Sequence, residues 1–221
     1  PDPSIGMGDG RLFMLKANDG TVIWKSPSLA QVTGTTNLAA NEKHEHLGYS
    51  SPLVEGNRIY IGVSDTCDNP IQLGRVVAVD FATGNISAGF SFVNGPRPSS
   101  TYPPGGDVWG SVAADAHKLY VTTGNAKAYY DPSQPEPSPN YGLSLLQLDP
   151  ASGAPQWQHQ PVPYSMDEDP DWSATPTVMH ASCGNIVGGT MKDGWTWALN
   201  AGAGAGGGHP TVRWMFPTSP A

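Results

Sequence analysis

The chain of 221 residues carries a formal charge of −8, and its eleven Lys and Arg residues are scattered along it. Nucleic acid needs a gathered basic face and a membrane helix needs about 18 consecutive apolar residues; neither is present, so nucleic-acid binding and a membrane-spanning helix are excluded. Only 14% of residues are charged, 27 Gly and 22 Pro exceed a fifth of the chain, and seven Trp and eight Tyr supply apolar bulk, which together mark a globular, turn-rich chain of short strands.

The first element in chain order is a hairpin from Gly10 to Trp24, with Leu12-Phe-Met-Leu15 before an Asn-Asp-Gly turn and Thr21-Val-Ile-Trp24 after it. Ser51-Pro-Leu-Val54 and Arg58-Ile-Tyr-Ile-Gly-Val63 form a second hairpin, turning at Glu55-Gly-Asn57. A third begins at Gly74 and runs through Ala82-Thr-Gly84 to Phe90. Ser111-Val-Ala-Ala114 with Leu119-Tyr-Val-Thr-Thr-Gly124 precedes the hairpin from Gly142 to Trp157. Ala174-Thr-Pro-Thr-Val178 with Asn185-Ile-Val-Gly-Gly-Thr190 precedes the hairpin from Gly194, which passes a Gly/Ala loop at Ala201 to Gly208 and ends at Trp214. Strands are predicted at 58–63, 75–80, 118–123 and 185–190, with almost no helix.

Four of these hairpins share one design: a Gly, an apolar strand, a polar turn with Gly, and a strand ending in an aromatic. They begin at 10, 74, 142 and 194, so they recur at uneven intervals of 64, 68 and 52 residues, as expected where loops are inserted between strands. Two hairpins in succession make a four-stranded antiparallel sheet, the blade of a β-propeller. A β-sandwich also offers short strands and regular turns, but it gives no reason for the recurring terminal aromatic, which in a propeller packs between blades. The fold class is therefore all-β, with one partial propeller domain over 1–221: a half-blade at 1–26 and full blades at about 50–91, 110–160 and 173–217. Closure takes at least four blades. The arc is expected to be completed by a second chain or to belong to a larger protein, and its terminal faces to promote self-association.

Other features are less specific. No basic-then-apolar leader precedes Pro1, so a signal peptide, had there been one, is expected to be gone. Cys67 and Cys183 either pair or stay free. His44 and His46 could share one side of a strand and hold Zn²⁺ or Cu²⁺, but without a third ligand nearby they read as loop residues.

The Gly-Arg-strand-Asp-x-x-Thr-Gly-strand-Trp pattern resembles the Trp-docking motif of the quinoprotein family. These are eight-bladed propellers that bind pyrroloquinoline quinone (PQQ) and Ca²⁺ and oxidise alcohols or aldose sugars. The likeness spans nearly the whole chain and about half of a member's propeller. The motif is specific for fold and weak for activity, because scaffold propellers of the bacterial envelope carry it without cofactor.

Four further segments resemble the family's cofactor loops. Asp107-Val-Trp-Gly-Ser-Val-Ala-Ala-Asp115 implies Trp109 as a platform under the quinone ring. Thr122-Thr-Gly-Asn125 implies Asn125 as an oxygen ligand to Ca²⁺, although Thr123 stands where Gly is frequent. Val162 to Thr177 carries Asp167, Glu168, Asp169 and Asp171, and register with Ala174-Thr-Pro-Thr177 implies Asp169 as catalytic base, with Asp171 next. Glu168 replaces the family's usual Trp. Carboxylates so crowded are expected to raise one another's proton affinity. Gly188 to Trp195 implies that Lys192 contacts the quinone oxygens.

Ser64-Asp-Thr-Cys-Asp-Asn-Pro70 lies where many members offer a Glu to Ca²⁺. It implies Ser64 beside the cofactor and Asp68 and Asn69 as candidate metal ligands, and its form looks closest to the polyvinyl-alcohol-dehydrogenase-like branch, near the type I quinoprotein alcohol dehydrogenases. The family's adjacent Cys pair is absent. So is a haem-attachment Cys-x-x-Cys-His, which implies a separate electron acceptor. The resemblance implies an alcohol substrate and a periplasmic or secreted location. A propeller that kept the fold and lost the cofactor, serving as a binding scaffold, is the alternative. Each segment also has a plainer reading: Trp109 as a packing ring, Asn125 and Lys192 as turn residues, and the acidic run as a solvated loop.

Overall fold

A computed structural model of the protein describes residues 10–29, 49–64, 74–93, 106–115, 118–125, 141–161, 169–202 and 209–218, and every regular element among them is a β-strand. β1 (Phe13–Leu15) and β2 (Val22–Lys25) form a two-stranded ribbon. Three four-stranded antiparallel sheets follow, each with its strands paired in chain order. The first holds β3 (Leu53–Glu55), β4 (Arg58–Val63), β5 (Arg75–Asp80) and β6 (Phe92–Val93). The second holds β7 (Ala113–Asp115), β8 (Lys118–Thr122), β9 (Leu145–Leu148) and β10 (Pro155–His159). The third holds β11 (Thr177–Met179), β12 (Ile186–Thr190), β13 (Trp195–Asn200) and β14 (Val212–Pro217). This is an arc of a β-propeller: a half-blade and three blades.

The four predicted strands are β4, β5, β8 and β12, the last two each one residue shorter than expected. Asn185 falls outside β12, and its side chain reaches across to the neighbouring blade, donating to Asp115 Oδ2 at 2.8 Å. The third hairpin departs further from expectation. Its return strand does not end at Phe90: Ile86 pairs with Val79, the chain then breaks pairing, and β6 resumes against Arg75 and Val76. Phe90 is buried edge-on against Tyr60, with ring centroids 5.2 Å apart.

The blades pack face to face, so a middle strand is covered on both sides and its alternating residues enter two different cores. In β4, Ile59, Ile61 and Val63 face the half-blade, packing with Val77, Val79 and Trp24, while Tyr60 joins Leu119, Val121, Leu146 and Leu148 on the other side. A third core sits between the second and third blades, around Trp157, Trp172, Val187 and Leu199. Each fully buried Leu or Val there contributes about 1.5–3 kcal/mol relative to exposure. The outermost faces of the arc have no such cover: all of β14 is exposed, with Trp214 at 46%, and Phe13 and Ile23 of the ribbon are about half exposed.

Repeated polar clasps fix one blade on the next. Trp24 lies on the turn at Gly84, and its indole N–H donates to Phe81 O at 3.2 Å. Gly84 has φ of +75°, and a Cβ there would stand 2.6 Å from the Trp24 ring, so both the turn and the seat require glycine. Between the first and second blades, Arg58 and the Tyr60 hydroxyl both donate to Pro150 O, at 2.7 and 2.9 Å. Lys118 and the Tyr120 hydroxyl repeat this on Ala201 O, at 3.3 and 3.2 Å. Just before the first strand of each blade, Ser51 N–H donates to Ser111 Oγ, and Ser111 N–H to Thr175 Oγ1, at 2.8 and 3.0 Å.

No helix of the described residues is long and apolar enough to cross a membrane. Cys183 is exposed and free, whereas Cys67, His44 and His46 lie outside the described residues.

Candidate functional site

The first two strands of each blade are antiparallel, so the start of the first and the end of the second share a rim. Trp109 precedes β7, Asn125 follows β8, Asp169 and Asp171 precede β11, and Lys192 follows β12. All five therefore belong to the same rim of two adjacent blades, and their side chains form one cluster.

The Trp109 segment is laced between two blades by its backbone. Val108 N–H donates to Val63 O at 3.3 Å, Gly124 N–H to Asp107 O at 2.8 Å, and Gly106 N–H to Asn125 O at 2.6 Å. Gly62 and Gly124 make that close approach possible. A Cβ on Gly62 would stand 2.3 Å from Val108 O, and one on Gly124 would stand 1.9 Å from Asp107 Oδ1 and 3.4 Å from Trp109 Cδ1. Trp109 and Asn125 are thus held side by side. Ser64 is buried one residue beyond Val63, whose carbonyl secures this segment.

Asp169 adopts φ of +48°, a left-handed conformation that few non-glycine residues occupy and Asp tolerates better than most. It immediately precedes Pro170, and such a conformation typically costs about 1–3 kcal/mol. The twist aims its carboxylate at two donors: Asn125 Nδ2 donates to Oδ1 at 2.5 Å, and Lys192 Nζ donates to Oδ1 and Oδ2 at 3.1 and 3.0 Å. Lys192 Nζ also lies 2.8 Å from Asp171 Oδ1 and 5.5 Å from the centroid of the Trp109 ring, over its face. Asp169 is the open member of the set with its side chain 61% exposed, against 6% for Asp171.

Burial alone would raise the Asp169 pKa, but the hydrogen bonds from Lys192 and Asn125 and the Lys192 charge together hold it below the usual carboxylate value. For Asp169 this corrects the expectation from carboxylate crowding: Lys192 contacts both Asp169 and Asp171, and its hydrogen bonds and charge lower the Asp169 value. For Lys192, burial favours the neutral amine, yet its bonds to Asp171 and Asp169 and their charges raise its pKa above the ordinary value.

One contributor was not assigned from sequence. Asp107 is buried, its carboxylate covers Gly124, and its carbonyl pairs with the Gly124 N–H. That role depends on which segments lie side by side, which spacing does not reveal. Asp68 and Asn69, the other candidate metal ligands, lie outside the described residues, as do Asp167 and Glu168. Among the described residues no group of three or more His, Cys, Asp or Glu is placed to hold a metal ion.

Antiparallel four-stranded blades, a Trp24 seat on Gly84, and an indole, an amide, an ammonium and carboxylates gathered on one rim are the features of a propeller of the quinoprotein class. Residues 4–206 match the glucose/ethanol/alcohol dehydrogenase β-propeller domain, and the chain belongs to this PQQ family. In three dimensions it is similar to a europium-containing methanol dehydrogenase, with a TM-score of 0.68 and 18% identity over 95% of this chain and 38% of that one. A quinohemoprotein alcohol dehydrogenase from Pseudomonas putida superposes with a TM-score of 0.67 and 19% identity, over 96% of this chain and 32% of that one. BamB from Moraxella catarrhalis superposes with a TM-score of 0.52 and 19% identity, over 94% and 46%. The chain thus spans about a third of the length of each of the two dehydrogenases, and identities this low speak to fold alone. No curated protein sequence matches it.

Proposed function

We propose that the protein belongs to a PQQ-dependent alcohol dehydrogenase, in which this rim holds PQQ and Ca²⁺ and Asp169 takes the proton of the substrate hydroxyl. The observation that carries this reading is the cluster itself. Four connections from two blades bring Trp109, Asn125, Asp169 and Lys192 together, although each alone reads as a packing ring or a turn residue.

The residues fit the groups. The Trp109 ring face suits a planar cofactor, and the Lys192 ammonium beside it suits anionic oxygens. The Asn125 amide oxygen is a hard oxygen donor of the kind Ca²⁺ takes, and Asp68 and Asn69 are further candidates. PQQ, when bound, supplies the hydride acceptor. Asp169 is ionised at neutral pH, is the open carboxylate of the set, and is aimed by Asn125 and Lys192; it is the group suited to accept the hydroxyl proton. The same reading includes a separate electron acceptor, further propeller from the same or a second chain, and a periplasmic or secreted location.

Titration of the complete propeller assembly with PQQ and Ca²⁺, followed by absorbance and by alcohol-dependent dye reduction, tests it. Trp109→Ala is expected to weaken PQQ binding. Asp169→Asn should retain binding and lose turnover by about 10²–10⁴-fold, the usual worth of a general base. A complete assembly that folds but does not bind PQQ would refute the enzyme reading and favour a scaffold propeller.

A further inference from the structure

We infer that Asp171 is the positioning residue that anchors Lys192 over Trp109, while Asp169 is the carboxylate left open to substrate. This rests on the reading of the rim as the PQQ site, and it assigns separate tasks to two carboxylates that sequence offered as alternatives for one. The two differ in every respect that decides the division. The Asp171 side chain is 6% exposed and that of Asp169 is 61% exposed. The single contact from Lys192 Nζ to Asp171, at 2.8 Å, is shorter than either contact to Asp169, at 3.0 and 3.1 Å.

The backbones differ as well. Lys192 N–H donates to Asp171 O at 2.9 Å, and the next pair along, Trp172 and Met191, forms an antiparallel bridge with both side chains 1% exposed. Asp171 and Lys192 are therefore tied through main chain and side chain at once, directly above a buried seam. Among the described residues Asp169 has no such main-chain tie, and it sits at φ of +48° in the segment leading into β11. Where both carboxylates share one ammonium, the backbone-tied one fixes where the charge stands. The open one can exchange the ammonium for a hydroxyl without releasing it. A Lys192 held by Asp169 alone would lose its place over Trp109 whenever Asp169 turned to substrate.

The position of Lys192 can be read directly. A proton over an indole face at this range is shifted upfield by the ring, so in protein labelled with [ε-¹³C]lysine the Lys192 resonance should stand upfield of the other lysines. Lys192→Arg identifies the signal, and Trp109→Leu should abolish its displacement. Asp171→Ala is expected to return the signal to the ordinary lysine position, and Asp171→Asn, which keeps an acceptor oxygen, to restore part of the shift. Asp169→Gly, which suits the left-handed backbone, should leave most of the shift in place. Retention of the parent shift in Asp171→Ala overturns the inference, and so does its loss in Asp169→Gly, whatever Asp171→Ala does. If Asp171→Ala does not fold, Asp171→Asn and Asp169→Gly decide alone. None of these readings needs PQQ, so failure of the proposed function, seen as a complete assembly that does not bind it, stays distinct from failure of this assignment.

Discussion

Acid should loosen the seam between the second and third blades first, through His159. This residue ends β10, and its ring meets Trp197 edge-on with centroids 5.2 Å apart and planes at 60°. Its Nε2 is buried without a hydrogen-bond partner, so the neutral ring is tolerated there and the cation is not. Burial, and then the charge of His209, push its pKa from 6.5 down to about 4. A gap of about 2.5 between the two values amounts to roughly 3 kcal/mol if fully expressed. The ring is only partly buried, and solvent screening reduces the expectation to about 1–2 kcal/mol. Because the folded value lies below the unfolded one, the unfolded chain binds the extra proton between them. Stability is therefore unaffected above pH 6.5, falls as pH drops from 6.5 toward 4, and changes no further below that. Urea unfolding of the parent and of His159→Gln across this range, followed by Trp fluorescence, isolates the effect, since other titrating groups cancel in the difference. The parent should lose about 1–2 kcal/mol relative to the variant. A difference that stays constant with pH would refute the reasoning.

Gly84→Ala should destabilise by about 1–3 kcal/mol in thermal or urea unfolding, because the left-handed turn and the Trp24 ring both reject a Cβ. Tyr120→Phe removes the hydroxyl that donates to Ala201 O and leaves the Gln147 amide without that acceptor, and should cost about 1–3 kcal/mol by the same measurement. The Lys192 ion pairs should contribute most around neutral pH. The Asp169 share is present above its unfolded pKa and lost as pH falls through its depressed folded value; the Lys192 share is present below its unfolded pKa and lost as pH rises through its raised one. Comparing the pH dependence of unfolding in the parent and in Lys192→Met checks both limbs.

How far the fold can be read from the chain depends on how local its signals are. A hairpin is a local object, so alternation and turn glycines located β4, β5, β8 and β12 to within a residue at each end. The seat of Trp24 was legible only as a recurrence, and its physical cause, an indole lying where a Gly84 side chain would be, appears only when two blades meet. The hairpin that was expected to end at Phe90 misled for the same reason. Ile86 satisfies the strand pattern before the break and Phe92 after it, so a periodic reading joins two short pairings into one strand. Nothing in the local pattern distinguishes a buried aromatic in a turn from one on a strand.

The cluster on the rim was legible in a different way. No single segment identified it: Lys192 sits in an ordinary Lys-Asp-Gly turn, and Asn125 follows a Gly as turn residues do. What four segments in a fixed order supply is a set of phases relative to the strands, and in an antiparallel blade phase alone decides the rim. A residue before the first strand and one after the second must emerge on the same side, which is why resemblance and topology lead to the same five residues. Electrostatics were not legible, because the sign of the Asp169 shift depends on whether its nearest charged neighbour is Asp171, two residues away, or Lys192, twenty-three residues away. In the folded protein Lys192 touches the carboxylates of Asp169 and Asp171, which form two ion pairs sharing one cation. The cation supplied by the turn after β12 thus offsets, at Asp169 and Asp171, the repulsion that the sequence read alone suggests.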